Sequence, residues 1–222
     1  MSENYKFVKS SDSKMNFIDF TKKINTLKNQ KLGGLNAQFK MAPKLRLKYD
    51  QDKIAASKPR KAGVLVLFYP NIKNETCFLL TKRASYNGTH SAQISFPGGK
   101  TEKSDKNLQE TALRETLEEV GVQPLSVKII RELTTVYIPP SNFLATPFLG
   151  FVNEKPTLIL NHEVEKEIEV LVSDLLDDAN ISAVTLDTSY MEKAEVPCFK
   201  INNHVIWGAT GMMLSEIKEL LK

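Results

Sequence analysis

Residues 97–122 constrain the fold and the chemistry of this chain more than any other segment. A Pro-Gly-Gly turn at 97–99 precedes a helical pattern over 105–120, and Gly121 stands where a helix commonly ends. Glu115, Glu118 and Glu119 are spaced i, i+3 and i+4, which places their Cβ atoms about 5–6 Å apart on one helix face. Because like charges repel, such a face usually has a compensating cation, and oxygen ligands suit Mg²⁺ or Mn²⁺. The segment therefore predicts metal-assisted phosphate chemistry.

The same segment supplies the other parts that pyrophosphate hydrolysis requires. A metal ion neutralises charge on phosphate oxygens and helps to form hydroxide from water. Gly98 and Gly99 permit close backbone approach, and Arg114 lies four residues before Glu118, so it can steady that carboxylate. The predicted N-cap is Ser104 or Asp105. Taken alone, a glutamate cluster is more often a solvated helix face; the flanking glycines favour metal binding here.

Composition predicts a soluble, cytoplasmic protein. The 222 residues can bury one substantial core with a small extra lobe, no run approaches the roughly 18 apolar residues of a membrane span, and the N-terminus lacks a signal-peptide pattern. Cys77 and Cys198 have no metal-ligand spacing and are predicted to be buried free thiols.

The charge is distributed unevenly along the chain. Residues 1–62 contain 15 basic and 5 acidic residues, whereas residues 63–222 contain 15 basic and 21 acidic residues. The basic part has no recognition motif, so we expect no nucleic-acid partner.

Helix and strand patterns interleave without a regular βαβ rhythm, which predicts an α/β (α+β type) fold with a mixed β-sheet sandwiched between helices. We expect residues 1–34 to form a polar tail and a helix over 17–28, and 35–222 to form the main domain, beginning with an irregular basic stretch over 35–62. The predicted strands cover 63–69, 76–83, 94–96, 127–133, 135–138, 143–152, 183–186, 196–201 and 204–207. A bend into a short helix is expected over 169–176, and a final amphipathic helix over 209–221.

Residues 98–122 resemble the signature of the Nudix hydrolases, which reads glycine, five residues, glutamate, seven residues, then Arg-Glu-aliphatic-any-Glu-Glu-any-Gly-aliphatic. The second half of the signature matches at Arg114, Glu115, Glu118, Glu119, Gly121 and Val122, with Thr116 at the aliphatic position. The first half departs further, because Asp105 stands where the upstream glutamate is expected and eight residues separate it from Arg114. No catalytic role is therefore carried over to Asp105.

A second block, residues 79–99, resembles the segment that precedes the Nudix signature in coenzyme A pyrophosphatases. Its Leu-Leu-Thr-Lys-Arg-Ala and Phe-Pro-Gly-Gly parts keep the family spacing, but Gly88 replaces an arginine and Ala92 a glycine. Another cation must then contact the phosphate, and Lys82, Arg83 and His90 are the local candidates. Residues 135–147 and the Trp-Gly-Ala-Thr stretch at 207–210 extend the resemblance to about 35–215.

This resemblance implies a Nudix fold and metal-dependent hydrolysis of coenzyme A or a derivative to 3′,5′-ADP and 4′-phosphopantetheine. Its implied catalytic residues are Arg114, Glu115, Glu118 and Glu119. Its implied metal ligands are Glu115 and Glu119, with Glu118 close by and a Gly98 or Gly99 carbonyl. The alternatives are hydrolysis of another nucleoside diphosphate derivative, such as ADP-ribose, and nucleotide binding without turnover. We expect a small-molecule substrate, no membrane partner and an assembly consistent with a homodimer.

Several further residues have two readings at this point. Ser141 and Asn142 follow two prolines and either bind substrate or satisfy the turn backbone. Trp207 and Phe143 either pack in the core or line the pocket. Glu163 and Glu165 are weak candidates for the catalytic base, with surface-loop positions as the plainer reading. The candidate substrate-binding set is Lys82, Arg83, His90, Ser141 and Asn142.

Overall fold

The computed structural model describes residues 14–84, 93–188 and 191–222. Within these ranges the helices are α1 (Phe17–Lys22), α2 (Ile24–Asn29), α3 (Gly34–Phe39), α4 (Gln51–Ala56), α5 (Leu108–Val120), α6 (Val172–Leu176) and α7 (Gly208–Leu221). The strands are β1 (Arg60–Pro70), β2 (Thr76–Arg83), β3 (Ile94–Ser95), β4 (Gly98–Lys100), β5 (Lys128–Glu132), β6 (Val136–Ile138), β7 (Phe143–Phe151), β8 (Val164–Leu171), β9 (Ile181–Thr188), β10 (Met191–Ile201) and β11 (His204–Trp207).

The larger sheet is mixed, as predicted. Its main path runs β3-β2-β1-β7-β5, while β4 pairs with β1, β6 with β7 and β8 with β2. Strands β1 and β7 are parallel over nine residue pairs, from Arg60–Phe143 to Phe68–Phe151, and the other pairings in this sheet are antiparallel. A second, antiparallel sheet has the order β11-β10-β9. The parallel pair places the start of β7 beside the start of β1.

Both faces of the central strand β1 are covered, because its side chains alternate between two apolar clusters. Val66 and Phe68 belong to the cluster that also contains residues of α1, α2 and α7. Leu65 and Leu67 belong to the opposite cluster, which includes Ala112 and other residues of α5. The near-continuous apolar run of β1 thus reflects burial on both faces, and the predicted arrangement of a sheet between helices is confirmed.

The signature helix α5 begins three residues later than predicted. Its N-cap is Asn107, whose Oδ1 accepts a hydrogen bond from the Glu110 amide at 2.9 Å. The prediction of Ser104 or Asp105 as N-cap is therefore wrong. Gly121 ends the helix in the left-handed conformation with a φ of 77°, as its position predicted.

The stretch over 35–62 is not irregular, and that prediction is wrong. It contains α3, a 3-10 turn over Arg46–Lys48, α4 and the first residues of β1. The predicted helix over 17–28 is two helices separated at Lys23. Phe17 and Phe20 of α1 join the core cluster that contains α7 residues. These short helices depend on distant packing partners, which local periodicity does not reveal. The division at residue 34 stays a prediction.

Two smaller expectations concern cysteines and membrane spans. Cys77 and Cys198 are free and buried, as predicted, and burial raises the pKa of the Cys77 thiol to about 12. Among the described residues, no helix is both long and apolar enough to cross a membrane.

Candidate active site

An ion-pair network around Arg114 fixes the carboxylate face of α5. The guanidinium holds Asp105 with two hydrogen bonds of 3.0 Å, and it also contacts Glu115 at 3.1 Å and Glu118 at 3.0 Å. Its Nη2 donates to the Lys100 carbonyl at 3.1 Å. Asp105 further accepts hydrogen bonds from the Thr111 hydroxyl and the Glu102 amide. Arg114 therefore positions the carboxylates, and its main partner Asp105 lies outside the helix.

Glu119 is the most deeply buried acid of this face, with 4% of its surface exposed. One oxygen accepts the Gly98 amide at 3.1 Å, and the other lies 3.4 Å from the Arg83 guanidinium. Burial raises the pKa of the Glu119 carboxyl to about 7, although the Gly98 amide and the Arg83 charge act in the opposite direction. The nearby positive groups therefore do not offset the desolvation of the charged carboxylate.

Glu115 lies one helical turn earlier and directly over the glycine turn. A Cβ built on Gly99 would stand 2.5 Å from its carboxylate carbon, so a larger residue at this position would displace the carboxylate. Burial also raises the pKa of Glu115, against the lowering effect of Arg114. Gly98 has a φ of 147°, and a Cβ there would lie 2.4 Å from the Gly63 carbonyl oxygen. The two glycines therefore allow β4 to lie between β1 and the carboxylates.

Glu118 differs from the other two glutamates, because 53% of its side chain is exposed and it faces Arg114. Among the described residues, no group of three or more histidine, cysteine, aspartate or glutamate side chains is gathered closely enough to hold a metal. Glu115, which is partly buried, and Glu119, which is buried, nevertheless offer only oxygen donors, and both have a raised pKa. This donor set suits a hard divalent cation, which would stabilise both charged carboxylates.

A pocket of about 350 Å³ is lined on one side by the glycine turn, at the lower end of the size range of ligand sites. Gly98, Gly99 and Arg83 line it near the carboxylates. Much of its remaining wall is apolar and includes Ile94, Phe96, Tyr137, Phe143 and Trp207. A charged region next to an apolar chamber suits a phosphate-containing ligand with an organic part.

The model of the NUDIX domain family matches residues 59–194, which include the glycine turn, α5 and all eight strands of the larger sheet. The chain belongs to the Nudix family. The predicted Nudix fold is thereby confirmed, since the matched region contains the mixed sheet and the signature helix that packs on it.

Curated relatives agree with this assignment. The chain is 30% identical to Nudix hydrolase 3 of Caenorhabditis elegans over 64% of its own length and 66% of the relative. It is 31% identical to the mitochondrial Nudix hydrolase 15 of Arabidopsis thaliana, over 71% of the chain and 57% of the relative. The Nudix hydrolase NudL of Pectobacterium atrosepticum is 35% identical, over 64% and 67%. The chain spans less than two thirds of the length of the first two relatives.

Two solved structures show a limited similarity to the chain. A MutT/nudix family protein from Enterococcus faecalis has a TM-score of 0.49 and 14% identity, covering 78% of this chain and 70% of its own. The Ap4A hydrolase of C. elegans has a TM-score of 0.45 and 21% identity, covering 53% and 83%.

Only some of the predicted substrate-binding residues of this Nudix protein line the pocket. Arg83 and Ser141 line the pocket, while Lys82 and Asn142 are not among its lining residues. Lys82 pairs with Glu165 at 2.5 Å, and the Asn142 side chain bonds to Ser57 and Tyr137. The Asn142 side chain therefore makes local structural hydrogen bonds, which was one of the two roles considered for it. His90 lies outside the described residues, as do Gly88 and Ala92.

Three pocket residues were ambiguous or unnoticed in the sequence. Trp207 is half-buried and lines the pocket, as does Phe143, which also packs against the core. Arg46 lines the same pocket, although it lies outside the matched Nudix region and in the stretch predicted to be irregular. Its sequence context carries no signal beyond a local excess of basic residues.

Proposed function

We propose that this protein hydrolyses the pyrophosphate bond of a nucleoside diphosphate derivative, with coenzyme A or one of its derivatives as substrate. The products are 3′,5′-ADP and 4′-phosphopantetheine, or acyl-phosphopantetheine. The observation that carries the proposal is the pair of carboxylates held against a glycine turn that lines the pocket, the partly buried Glu115 and the buried Glu119. The match of residues 98–122 to the Nudix signature supports hydrolysis of a pyrophosphate, and the spacing of residues 79–99 supports coenzyme A as the substrate.

Glu115 and Glu119 would hold Mg²⁺ or Mn²⁺, with Glu118 turning from Arg114 and a Gly98 or Gly99 carbonyl completing the set. When bound, the ion neutralises phosphate charge and lowers the pKa of a water molecule. Arg83 lines the pocket and pairs with Glu163 at 2.9 Å as well as with Glu119. It is therefore suited to contact a phosphate oxygen, in place of the arginine that Gly88 replaces.

Glu163 is the base candidate that the contacts favour over Glu165. It pairs with the pocket residue Arg83, and its charge contributes to the raised pKa values of Glu115 and Glu119. Glu165 pairs with Lys82, which does not line the pocket. We propose that Glu163 accepts the proton of the attacking water. Glu163→Gln should then lower kcat with little change in KM, whereas Glu165→Gln should leave both constants near wild type.

The deciding experiment is incubation of the protein with coenzyme A, with Mg²⁺, with Mn²⁺ and with EDTA, followed by chromatography of the products. We expect 3′,5′-ADP in the presence of either metal and none with EDTA. If ADP-ribose or a dinucleotide is cleaved and coenzyme A is not, the substrate is another nucleoside diphosphate derivative. The replacement of the family arginine by Gly88 is the observation that favours this second candidate.

Absence of turnover on a broad substrate panel would instead support nucleotide binding without catalysis. The homodimer and the cytoplasmic location stay predictions. Light scattering of the purified protein tests the first and fractionation of the source cells tests the second.

A further inference from the structure

Arg46 is a buried cation on the wall of the pocket. Only 5% of its surface is exposed, and its guanidinium lies near the rings of Phe39 and Tyr137, 5.3 and 5.7 Å from their centroids. One terminal nitrogen, Nη1, donates to the Tyr49 carbonyl at 2.9 Å. These contacts hold the planar group in place, so its orientation toward the pocket does not depend on a bound ligand.

The charge of Arg46 is not balanced. Among the described residues, no carboxylate lies within ion-pair distance of it, and its Nε has no hydrogen-bond partner. A buried polar group without a partner costs about 1–3 kcal/mol, and an unpaired buried charge costs more. Burial lowers the pKa of the guanidinium, which reflects the same cost. Such a group needs a functional explanation, since pairing or exposure would remove the cost.

Ser141 lines the pocket and contains a second unpaired polar atom. Its hydroxyl is buried and has no hydrogen-bond partner within the described part of the chain. It follows two prolines in the 3-10 turn Pro139–Ser141, which lines the pocket together with Arg46. Arg46 and Ser141 are thus two residues of a largely apolar wall that each contain an unpaired polar atom.

We propose that Arg46 and Ser141 form an anion subsite, which binds a phosphate monoester of the substrate that is separate from the scissile pyrophosphate. The inference rests on the proposed function in one respect, namely that the pyrophosphate lies at Glu115 and Glu119. A phosphate monoester carries about −1.5 to −2 charges and three acceptor oxygens at neutral pH, which matches a guanidinium and a hydroxyl donor. In coenzyme A this group is the 3′-phosphate.

The test compares coenzyme A with dephospho-coenzyme A, which differ only in that monoester. Trp207 is the single tryptophan of the chain and lines the same pocket, so its fluorescence reports binding in EDTA, without turnover. We expect wild type to bind coenzyme A about 10- to 100-fold more tightly, the range that hydrogen bonds to a charged group supply. Arg46→Met should abolish this preference and leave dephospho-coenzyme A binding unchanged, while Ser141→Ala should reduce the preference in part.

Arg46→Lys and Lys44→Met are the companion variants. The lysine variant keeps the charge without the planar fork and should retain part of the preference. Lys44 is an exposed basic neighbour, and its variant should retain all of it. Arg46→Met should also leave the thermal stability of the ligand-free protein unchanged or higher, because the lost cation had no carboxylate partner. A lower melting temperature together with equal weakening of both ligands would show a packing role and overturn the proposal.

Free phosphate is the other source of the same chemistry. Inorganic phosphate could change the Trp207 fluorescence of wild type but not that of Arg46→Met, while coenzyme A and dephospho-coenzyme A bind equally. In that case the subsite binds a free anion and the substrate assignment is overturned. The binding assay is independent of hydrolysis. If Arg46-dependent preference is found but coenzyme A is not cleaved, the proposed function fails and the subsite stands. If coenzyme A is cleaved but wild type binds the two coenzymes equally, the proposed function stands and the subsite fails.

Discussion

Asp105 and Arg114 form the principal ion pair of the site, and each group is mostly shielded from water. Asp105 exposes 4% of its side chain and Arg114 exposes 20%. Arg114 holds the pKa of the Asp105 carboxyl well below its usual range. The stabilisation from this pair is therefore complete above the unfolded pKa of about 3.9 and is lost as the pH falls through the lower folded value.

Asp105→Asn should lower the free energy of unfolding by roughly 2 kcal/mol at pH 7, because it leaves Arg114 partly unpaired. The difference from wild type should shrink at pH 3, because the aspartate of the unfolded chain is by then largely protonated while the native carboxyl is still charged. Urea denaturation at the two pH values measures both quantities. Asp52→Asn, at an exposed position, is the control and should change stability little. A pH-independent difference would contradict the ion-pair explanation.

Glu119 makes the opposite contribution to stability in the metal-free protein. Its folded pKa of about 7 lies above the unfolded value of about 4.3, so its ionisation disfavours the folded state. The stabilisation is present below the unfolded pKa and is lost as the pH rises through the folded pKa. In EDTA at pH 8, Glu119→Gln should therefore be more stable than wild type, by about 1–3 kcal/mol.

The same substitution should remove metal binding. Mn²⁺ should raise the melting temperature of wild type at pH 8 and leave that of Glu119→Gln unchanged, and turnover should fall by at least about 100-fold. The exposed carboxylate of Glu118 provides the comparison, since Glu118→Gln should show no gain in EDTA. Persistent metal-dependent turnover in the Glu119 variant would refute its assignment as a ligand.

At the scale of elements, β4 and α5 meet so closely that the Glu115 carboxylate occupies the space that a side chain at Gly99 would need. Gly99→Ala should displace the Glu115 carboxylate, because the added methyl would stand 2.5 Å from its carbon. We expect Mn²⁺ affinity to fall about 10- to 100-fold, as measured by calorimetric titration. Gly211→Ala in α7 is the control, because the nearest atom of another element, the Ile206 carbonyl oxygen, would lie 3.5 Å from its added Cβ. An unchanged affinity in Gly99→Ala would show that Glu115 need not approach the glycine turn.

At the scale of the whole molecule, Glu216 ties the N-terminal helices to the C-terminal helix. This fully buried carboxylate accepts hydrogen bonds from the Gly34 amide at 2.9 Å, the Gln38 side chain at 3.2 Å, and the Thr134 hydroxyl at 2.6 Å. It also accepts the Thr134 amide at 3.2 Å. Residues far apart in sequence thus converge on one acid, which explains why α3 forms where no local helical pattern predicted it.

Glu216→Ala should lower the free energy of unfolding by about 3 kcal/mol, because several buried donors lose their acceptor. Hydrogen exchange at the Gly34 and Thr134 amides should accelerate in the variant. Glu219→Ala is the matched control on the same helix, because it removes a partly exposed pair with Lys40 worth about 1 kcal/mol or less. Equal losses from the two variants would argue against Glu216 as the buried link.

The sequence by itself determined the elements that local patterns encode. Helix α5, its end at Gly121 and the positions of β2 and β11 follow from apolar periodicity and turn residues, since these act over a few residues. The spacing of Glu115, Glu118 and Glu119 likewise predicts one helix face, and the signature predicts the family. Helical geometry fixes these relations before any tertiary contact forms.

Tertiary structure alone decided how those residues differ in environment. Packing of α5 and β4 on β1 buries Glu119, while Glu118 remains exposed beside Arg114. It also makes Asp105 a partner of Arg114 rather than an N-cap, and it brings Arg46 to the pocket from outside the Nudix match. Burial and charge pairing depend on contacts between distant segments, so the sequence spacing that named the carboxylates could not determine their pKa values or their partners.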